Sequence, residues 1–144
     1  MDDSSFSKNI SEIKKKFAAY HSPEEKYSAL IELGRSLPHF EEQYKTADRI
    51  VQGCQSKLYL RSYLRDGKIF FEVSSDALIS AGLAALLILA YNGEPPETVL
   101  KCPPFFMAEI GVTESLSLNR SNGLVHIHLR MKQEAIRWLA GLLK

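Results

Sequence analysis

The sequence predicts an α+β fold in which helices pack on a small antiparallel sheet. Three stretches carry that prediction. Residues 58–65 and 68–74 alternate apolar with polar side chains on either side of Asp66-Gly67, the pair favoured in two-residue type I′ hairpins. Residues 77–91 carry no charge. At fifteen residues this run is too short for a bilayer, which takes about 20, so it reads as a central buried helix. Phe6, Ile10, Ile13, Phe17 and Tyr20 recur at steps of four and three, the apolar stripe of an amphipathic helix.

Taken in order, the first helix ends near His21. Ser22-Pro23-Glu24-Glu25 then starts a second, with Ser22 as N-cap, Pro23 at the first helical position and Glu25 closing a capping box. Tyr27, Leu30, Ile31 and Gly34 form its inner face, and Leu37-Pro38 closes it. Residues 38–56 show no period. A loop this long inside a compact domain is often functional, and Cys54 lies at its far end. In the hairpin, Leu58, Leu60, Ser62 and Leu64 on the first strand and Ile69, Phe71 and Val73 on the second share the face that meets helices; the face with Tyr, Arg and Lys is partly solvated.

Ser74-Ser75-Asp76 caps the charge-free helix. Its small residues Ala81, Gly82, Ala84 and Ala85 allow close approach to the sheet, and Asn92-Gly93 ends it through a left-handed C-cap. Short helices follow at residues 96–100 and 105–110, with Gly111 as a stop. The last segment contains an alternating run at residues 125–129. Leu124, Ile127, Met131, Ala135, Trp138 and Leu142 nevertheless keep a helical stripe, so residues 124–143 are taken as a helix capped by Ser121 or Asn122.

The chain has 144 residues, 45% apolar and 24% charged, which fits one domain over residues 1–144 with a real core. Its 18 basic and 17 acidic residues leave a net charge of +1, against a nucleic-acid partner bound by phosphate neutralisation. Two Cys make no disulfide framework, and the acidic, polar start is unlike a signal peptide. These features point to a reducing cytoplasm and no membrane partner.

Cys54 is the leading candidate for chemistry. Taking sulfur from a persulfide requires a thiolate that attacks the outer sulfur, so it needs a tip position and shelter from oxidants. Gly53 permits a close backbone approach, and Gln55 and Ser56 offer donors to a sulfur anion. The competing reading is a small buried hydrophobe. Arg120-Ser121-Asn122-Gly123 joins a cation to a helix start. It fits an anion site, a contact that lowers the thiol pKa, or a plain capping turn. His126 and His128 would share a face only in a strand; in a helix they point about 200° apart, so no metal site is expected. Asp76 reads as a helix cap with a secondary chance of partner contact, and Cys102 is given no role.

Gly53-Cys54-Gln55-Ser56 before a hydrophobic strand is one of several motifs that resemble the family of SufE and its close relative CsdE. The others are Ser75-Asp76-Ala77 leading into residues 82–87, Asn92-Gly93, residues 106–111, Leu116-Ser117 and Arg120-Ser121-Asn122-Gly123-Leu124. The resemblance covers roughly positions 20–140. It implies an IscU-like α+β fold whose sheet has about three strands, the third drawn from Ile50-Val51 or the preceding loop. It also implies that Cys54 accepts persulfide sulfur from a SufS/CsdA-type, PLP-dependent cysteine desulfurase, stimulates it, and passes sulfur to an iron–sulfur scaffold. The chain itself then needs no cofactor and is an accessory protein rather than an enzyme. Lys101-Cys102-Pro103 and the two His of the last helix depart from the family pattern. The alternatives are a metal or cluster scaffold of the same fold, which needs about three ligands, and a non-catalytic interaction domain.

Overall fold

A computed structural model describes residues 4–54, 56–113 and 118–141, with backbone alone at residues 4 and 118–122. The elements run α1 (Ser4–Phe17), α2 (Pro23–Arg35), two single 3₁₀ turns (Glu42–Tyr44 and Ala47–Arg49), β1 (Leu58–Arg65), β2 (Lys68–Ser75), α3 (Leu78–Tyr91), α4 (Pro96–Lys101), α5 (Phe106–Glu109) and α6 (Leu118–Leu139). This is the predicted α+β arrangement. The hairpin pairs Arg65 with Lys68 and Leu58 with Ser75, around Asp66 at φ 54° and Gly67 at φ 76°, both positive as a type I′ turn requires.

Among the described residues the sheet has two strands rather than about three. Ile50 makes a single bridge to Tyr59, and the Val51 N–H donates to the Leu58 carbonyl at 2.9 Å. The expected third strand is thus one bridge long. The free edge of β2 is treated likewise. Ile69 bridges to Glu94, while the Asn92 side-chain amide accepts from the Phe71 N–H at 2.9 Å and donates to its carbonyl at 3.3 Å. An isolated two-stranded ribbon is marginal in water. Here both edges are covered and the apolar face is buried under helices.

Leu30, Leu58, Leu60, Ile69, Leu86 and Leu87 are fully buried in one apolar cluster. Burying a side chain of this size stabilises the fold by about 1.5–3 kcal/mol. The charge-free α3 lies at the centre, buried on nearly every side. One of its small residues serves a different neighbour from the one expected. Gly82 faces α2 rather than the sheet: a Cβ there would overlap the Leu30 carbonyl, and a Cβ at Gly34 would lie 2.9 Å from the Gly82 nitrogen. Two facing glycines let α2 and α3 cross with backbones in contact. At the start of α2, the Ser22 hydroxyl accepts from the Glu25 N–H at 3.2 Å, as the capping box requires, while the Glu25 carboxylate accepts from the N–H of His21.

Two sequence assignments are corrected. Asp76 does not cap α3: Ala77 is the N-cap without a side-chain bond, its N–H donates to the Ser75 hydroxyl, and Asp76 is exposed. The last helix begins at Leu118, so residues 121–123 lie inside it rather than forming a capping turn. Serine, asparagine and glycine are poor helix formers, and packing along the rest of α6 overrides that preference. No helix among the described residues is long and apolar enough to cross a membrane.

Substituting Gly82→Ala forces α2 and α3 apart. We expect a loss of about 1–3 kcal/mol in urea unfolding, the usual cost of overpacking a filled site. Ala81→Gly, which removes a side chain beside the same crossing, serves as the comparison and should leave the helices in place.

Candidate functional site

The segment that carries Cys54 is fixed at both ends before the thiol is reached. Phe40 is buried and packs edge-on against Tyr44 and at a tilt against Tyr59 on the outer sheet face. The guanidinium of Arg61 lies 4.0 Å from the Tyr44 ring centroid, and that of Arg49 lies 5.1 Å from it. Cation–π contacts of this kind hold the irregular stretch before the site on the sheet. The Val51–Leu58 bond then closes a loop whose tip bears Gly53 and Cys54.

Helix α6 covers the tip. The Cys54 thiol is half-buried, packs against the apolar core and donates to the Gly123 carbonyl at 3.8 Å. Gly53 has φ 91°, and a Cβ on it would lie 2.6 Å from Nε2 of His126 and closer still to the ring carbons. Only glycine meets both conditions: it adopts the left-handed backbone without strain and lets the imidazole lie against the chain. Four residues beyond His126, Arg130 donates to the carbonyls of Asp48 at 2.6 Å and Ile50 at 3.2 Å. Gly123, His126 and Arg130 thus form one face of α6 applied to the loop.

Burial pushes the Cys54 thiol up from its ordinary value, because a thiolate there would lose its hydration. The Gly123 carbonyl acts in the same direction, since an acceptor satisfies a thiol proton and repels a thiolate. The resting site therefore holds a protonated, weakly nucleophilic sulfur. This differs from the expectation that a helix start would present N–H groups to the sulfur: with α6 beginning at Leu118, a carbonyl faces it instead.

The other predicted site residues divide. Gly53 and Ser56 adjoin the thiol, but the Ser56 hydroxyl donates to Ser80 on α3 at 3.2 Å rather than to sulfur. Asp76 lines a shallow cleft with Lys45, Lys57 and Tyr59 at the open end of the hairpin, where the Cys54 loop joins β1. Gln55 and the side chain of Arg120 lie outside the described residues. The contacts of His126, Arg130 and Gly123 were missed by sequence reasoning. Their spacing, with buried Ile127 between, marks one side of a helix, but no sequence pattern says what crosses it.

His126 and His128 diverge as a helix requires. His128 stacks on Tyr91, with ring centroids 5.8 Å apart, and its buried Nε2 has no hydrogen-bond partner among the described residues. Burial lowers its pKa from 6.5 to about 4. Cys102 caps α4, and its carbonyl accepts from the Tyr91 hydroxyl at 2.5 Å. Among the described residues no group of three or more His, Cys, Asp and Glu is placed to hold a metal ion.

Residues 11–135 match the family model described as "SufE: Fe-S metabolism associated domain". An uncharacterised SufE-like protein of Synechocystis is 35% identical over 133 residues, covering 92% of this chain and 84% of that protein. The Arabidopsis thaliana SufE-like protein 1, chloroplastic/mitochondrial, is 33% identical over 88% of this chain but only 34% of its own length. The cysteine desulfuration protein SufE of Plasmodium vivax is 34% identical over 78% of this chain and 46% of that protein. The solution structure of a hypothetical protein from Thermus thermophilus superposes with a TM-score of 0.76 at 23% identity, over 92% of this chain and 96% of that one, which supports the fold.

Two outcomes follow from these groups. The rate of Cys54 alkylation by iodoacetamide, followed against pH by peptide mass spectrometry, should reach its midpoint above that of the same Cys in urea-unfolded chain. Unfolded chain protonates His128 near pH 6.5 while the folded form resists down to about pH 4, so stability is full above 6.5 and declines as pH falls through that window. In His128→Phe, which keeps the stack on Tyr91, this part of the pH dependence should vanish from urea titrations.

Proposed function

The chain belongs to the SufE family, and from that premise we propose that it is a single sulfur-acceptor domain whose Cys54 takes persulfide sulfur from a cysteine desulfurase of the SufS/CsdA type. The observation that carries this reading is the placement of Cys54: a half-buried thiol at a loop tip, sheltered by α6. Shelter suits a group that would otherwise oxidise, and a tip suits one that must enter a partner's site.

In the transfer step, the Cys54 thiolate attacks the terminal sulfur of the desulfurase persulfide. A new S–S bond forms to Cys54, the old one breaks, and the desulfurase cysteine leaves as a thiolate. There is no net oxidation, and the proton lost from Cys54 is balanced by one gained at the leaving sulfur. Removing sulfur from the desulfurase frees it for another turnover, so the chain stimulates the enzyme without being one. The PLP belongs to that partner, and this chain uses no cofactor of its own.

Because the resting thiol is protonated and faces a carbonyl, the loop must swing out before reaction, and docking of the desulfurase supplies the drive. Gly53 is the pivot that allows it, and Ser56 ties the loop's second arm to α3. We assign Gln55, exposed Asp76 and Arg120 to the partner-facing surface, Arg120 as the cation that would meet an acidic patch. The sulfur then passes to an iron–sulfur scaffold. A reducing cytoplasm would keep both cysteines as thiols.

Incubation with a desulfurase and cysteine, followed by intact and peptide mass spectrometry, should show one added sulfur on Cys54. Cys54→Ser should remove both the added mass and the stimulation of desulfurase turnover. Equal stimulation by the Ser variant, or sulfur found on Cys102 alone, overturns the reading.

A further inference from the structure

The arm that leads into the Cys54 loop presents the carbonyls of Asp48 and Ile50 outward, away from the single bridge to Tyr59. Asp48 lies in the 3₁₀ turn Ala47–Arg49 and Ile50 follows it in extended backbone, so both carbonyls need donors from another part of the chain. Among the described residues no strand supplies them. One guanidinium takes its place: Nη2 of Arg130 donates to Asp48 and Nη1 to Ile50.

That guanidinium is itself held from behind. Its Nε lies 3.4 Å from Oε2 of Glu134, a carboxylate only 7% exposed. The other oxygen of Glu134 accepts from the Ser62 hydroxyl on β1 at 2.6 Å, and Ser62 in turn accepts from Nε1 of Trp138 at 2.8 Å. The Arg130 side chain is 17% exposed. A chain of contacts therefore runs from the sheet through Ser62, Glu134 and Arg130 to the backbone of the loop. Ordinary core packing does not call for a buried carboxylate and a nearly buried arginine, and charged groups enter such places only when fully partnered.

We infer that Arg130, fixed by Glu134, is a positioning residue for Cys54: it anchors the first arm of the loop so that only the tip moves when the thiol is presented. The inference rests on the sulfur-acceptor reading for its purpose, although the anchoring is a property of the free chain. The planar fork of arginine meets two carbonyls while its Nε keeps Glu134, a set of contacts that the single ammonium of lysine cannot reproduce.

The test uses the full chain and needs no desulfurase in its first arm. In Arg130→Ala, Cys54 should be alkylated about tenfold faster, the factor that about 1.4 kcal/mol of lost restraint gives. Cys102 in the same molecules reports global loosening and should keep its wild-type rate. Glu134→Gln, which preserves the Ser62 bond but removes the charge behind Arg130, should give a smaller acceleration of Cys54 alone, and Arg130→Lys should restore part of the protection. An unchanged Cys54 rate in both Arg130→Ala and Glu134→Gln overturns the inference, as does a parallel rise at Cys102. In the second arm, Arg130→Ala should still receive sulfur at Cys54 but need a higher concentration for half-maximal desulfurase stimulation. Wild-type chain that receives no sulfur would sink the acceptor reading and leave the alkylation result standing.

Discussion

A two-stranded sheet has two open edges, and covering them is the constraint from which the rest of this structure follows. Each strand leaves a row of unpaired N–H and C=O groups, and buried ones must find partners. On the β2 side, the turn after α3 does this with the Asn92 amide and the backbone of Gly93 and Glu94. On the β1 side, the arm at Ile50-Val51 does it with one bridge and one hydrogen bond. That second arm must then turn back sharply into β1. Cys54 sits in the turn so produced, and the thiol's location is thus a by-product of how the edge of β1 is closed.

The same geometry decides the state of the sulfur. A loop drawn tight against a helix brings its tip against whatever the helix offers, and α6 offers the Gly123 carbonyl. A carbonyl and a partly dry environment both favour the thiol over the thiolate. Reactive cysteines of resting enzymes commonly show the reverse, with a cation or helix N-terminus lowering the pKa. The difference suits the proposed carrier role: a sulfur meant to react only on a partner's surface would be better kept protonated until it arrives there. On that proposal, docking would supply the free energy needed to expose and ionise it, and selectivity and reactivity would be joined in one step.

Much of this was legible in the residues. Asp66-Gly67 set the hairpin register, because few pairs tolerate two positive φ values in succession. Ser22-Pro23-Glu24-Glu25 marked the start of α2, and the absence of charge in residues 77–91 marked α3 as central. These signals are local or depend on composition alone. The errors arose where distant contacts outweigh local preference. Residues 120–123 carry turn-forming side chains, yet they belong to α6 because the rest of that helix is packed. Ile50-Val51 has strand-like residues, yet it pairs only once because the 3₁₀ turn Ala47–Arg49 precedes it and the turn at Gly53 follows it. Cys54 was found from its neighbours in sequence, but the residues of α6 that govern it lie about 70 positions further along.

Helix α6 consequently has two faces with separable duties. Leu124, Ile127, Met131 and Ala135 are buried in the core and contribute to global stability. Gly123, His126 and Arg130 touch a loop that carries almost no core side chain beyond Val51. Local openings that break only exposed or polar contacts need far less free energy than global unfolding. Releasing the tip costs one weak thiol hydrogen bond, the contact of Gly53 with an imidazole and the partial burial of Cys54 against the core, while the apolar stripe next to them stays packed. The helix can therefore hold the domain together and still let go of the thiol. A single residue of shift along the sequence would point the gripping side chains elsewhere on the helix, since neighbours are turned by about 100°. The register of α6 against the core thus determines whether Cys54 is held at all.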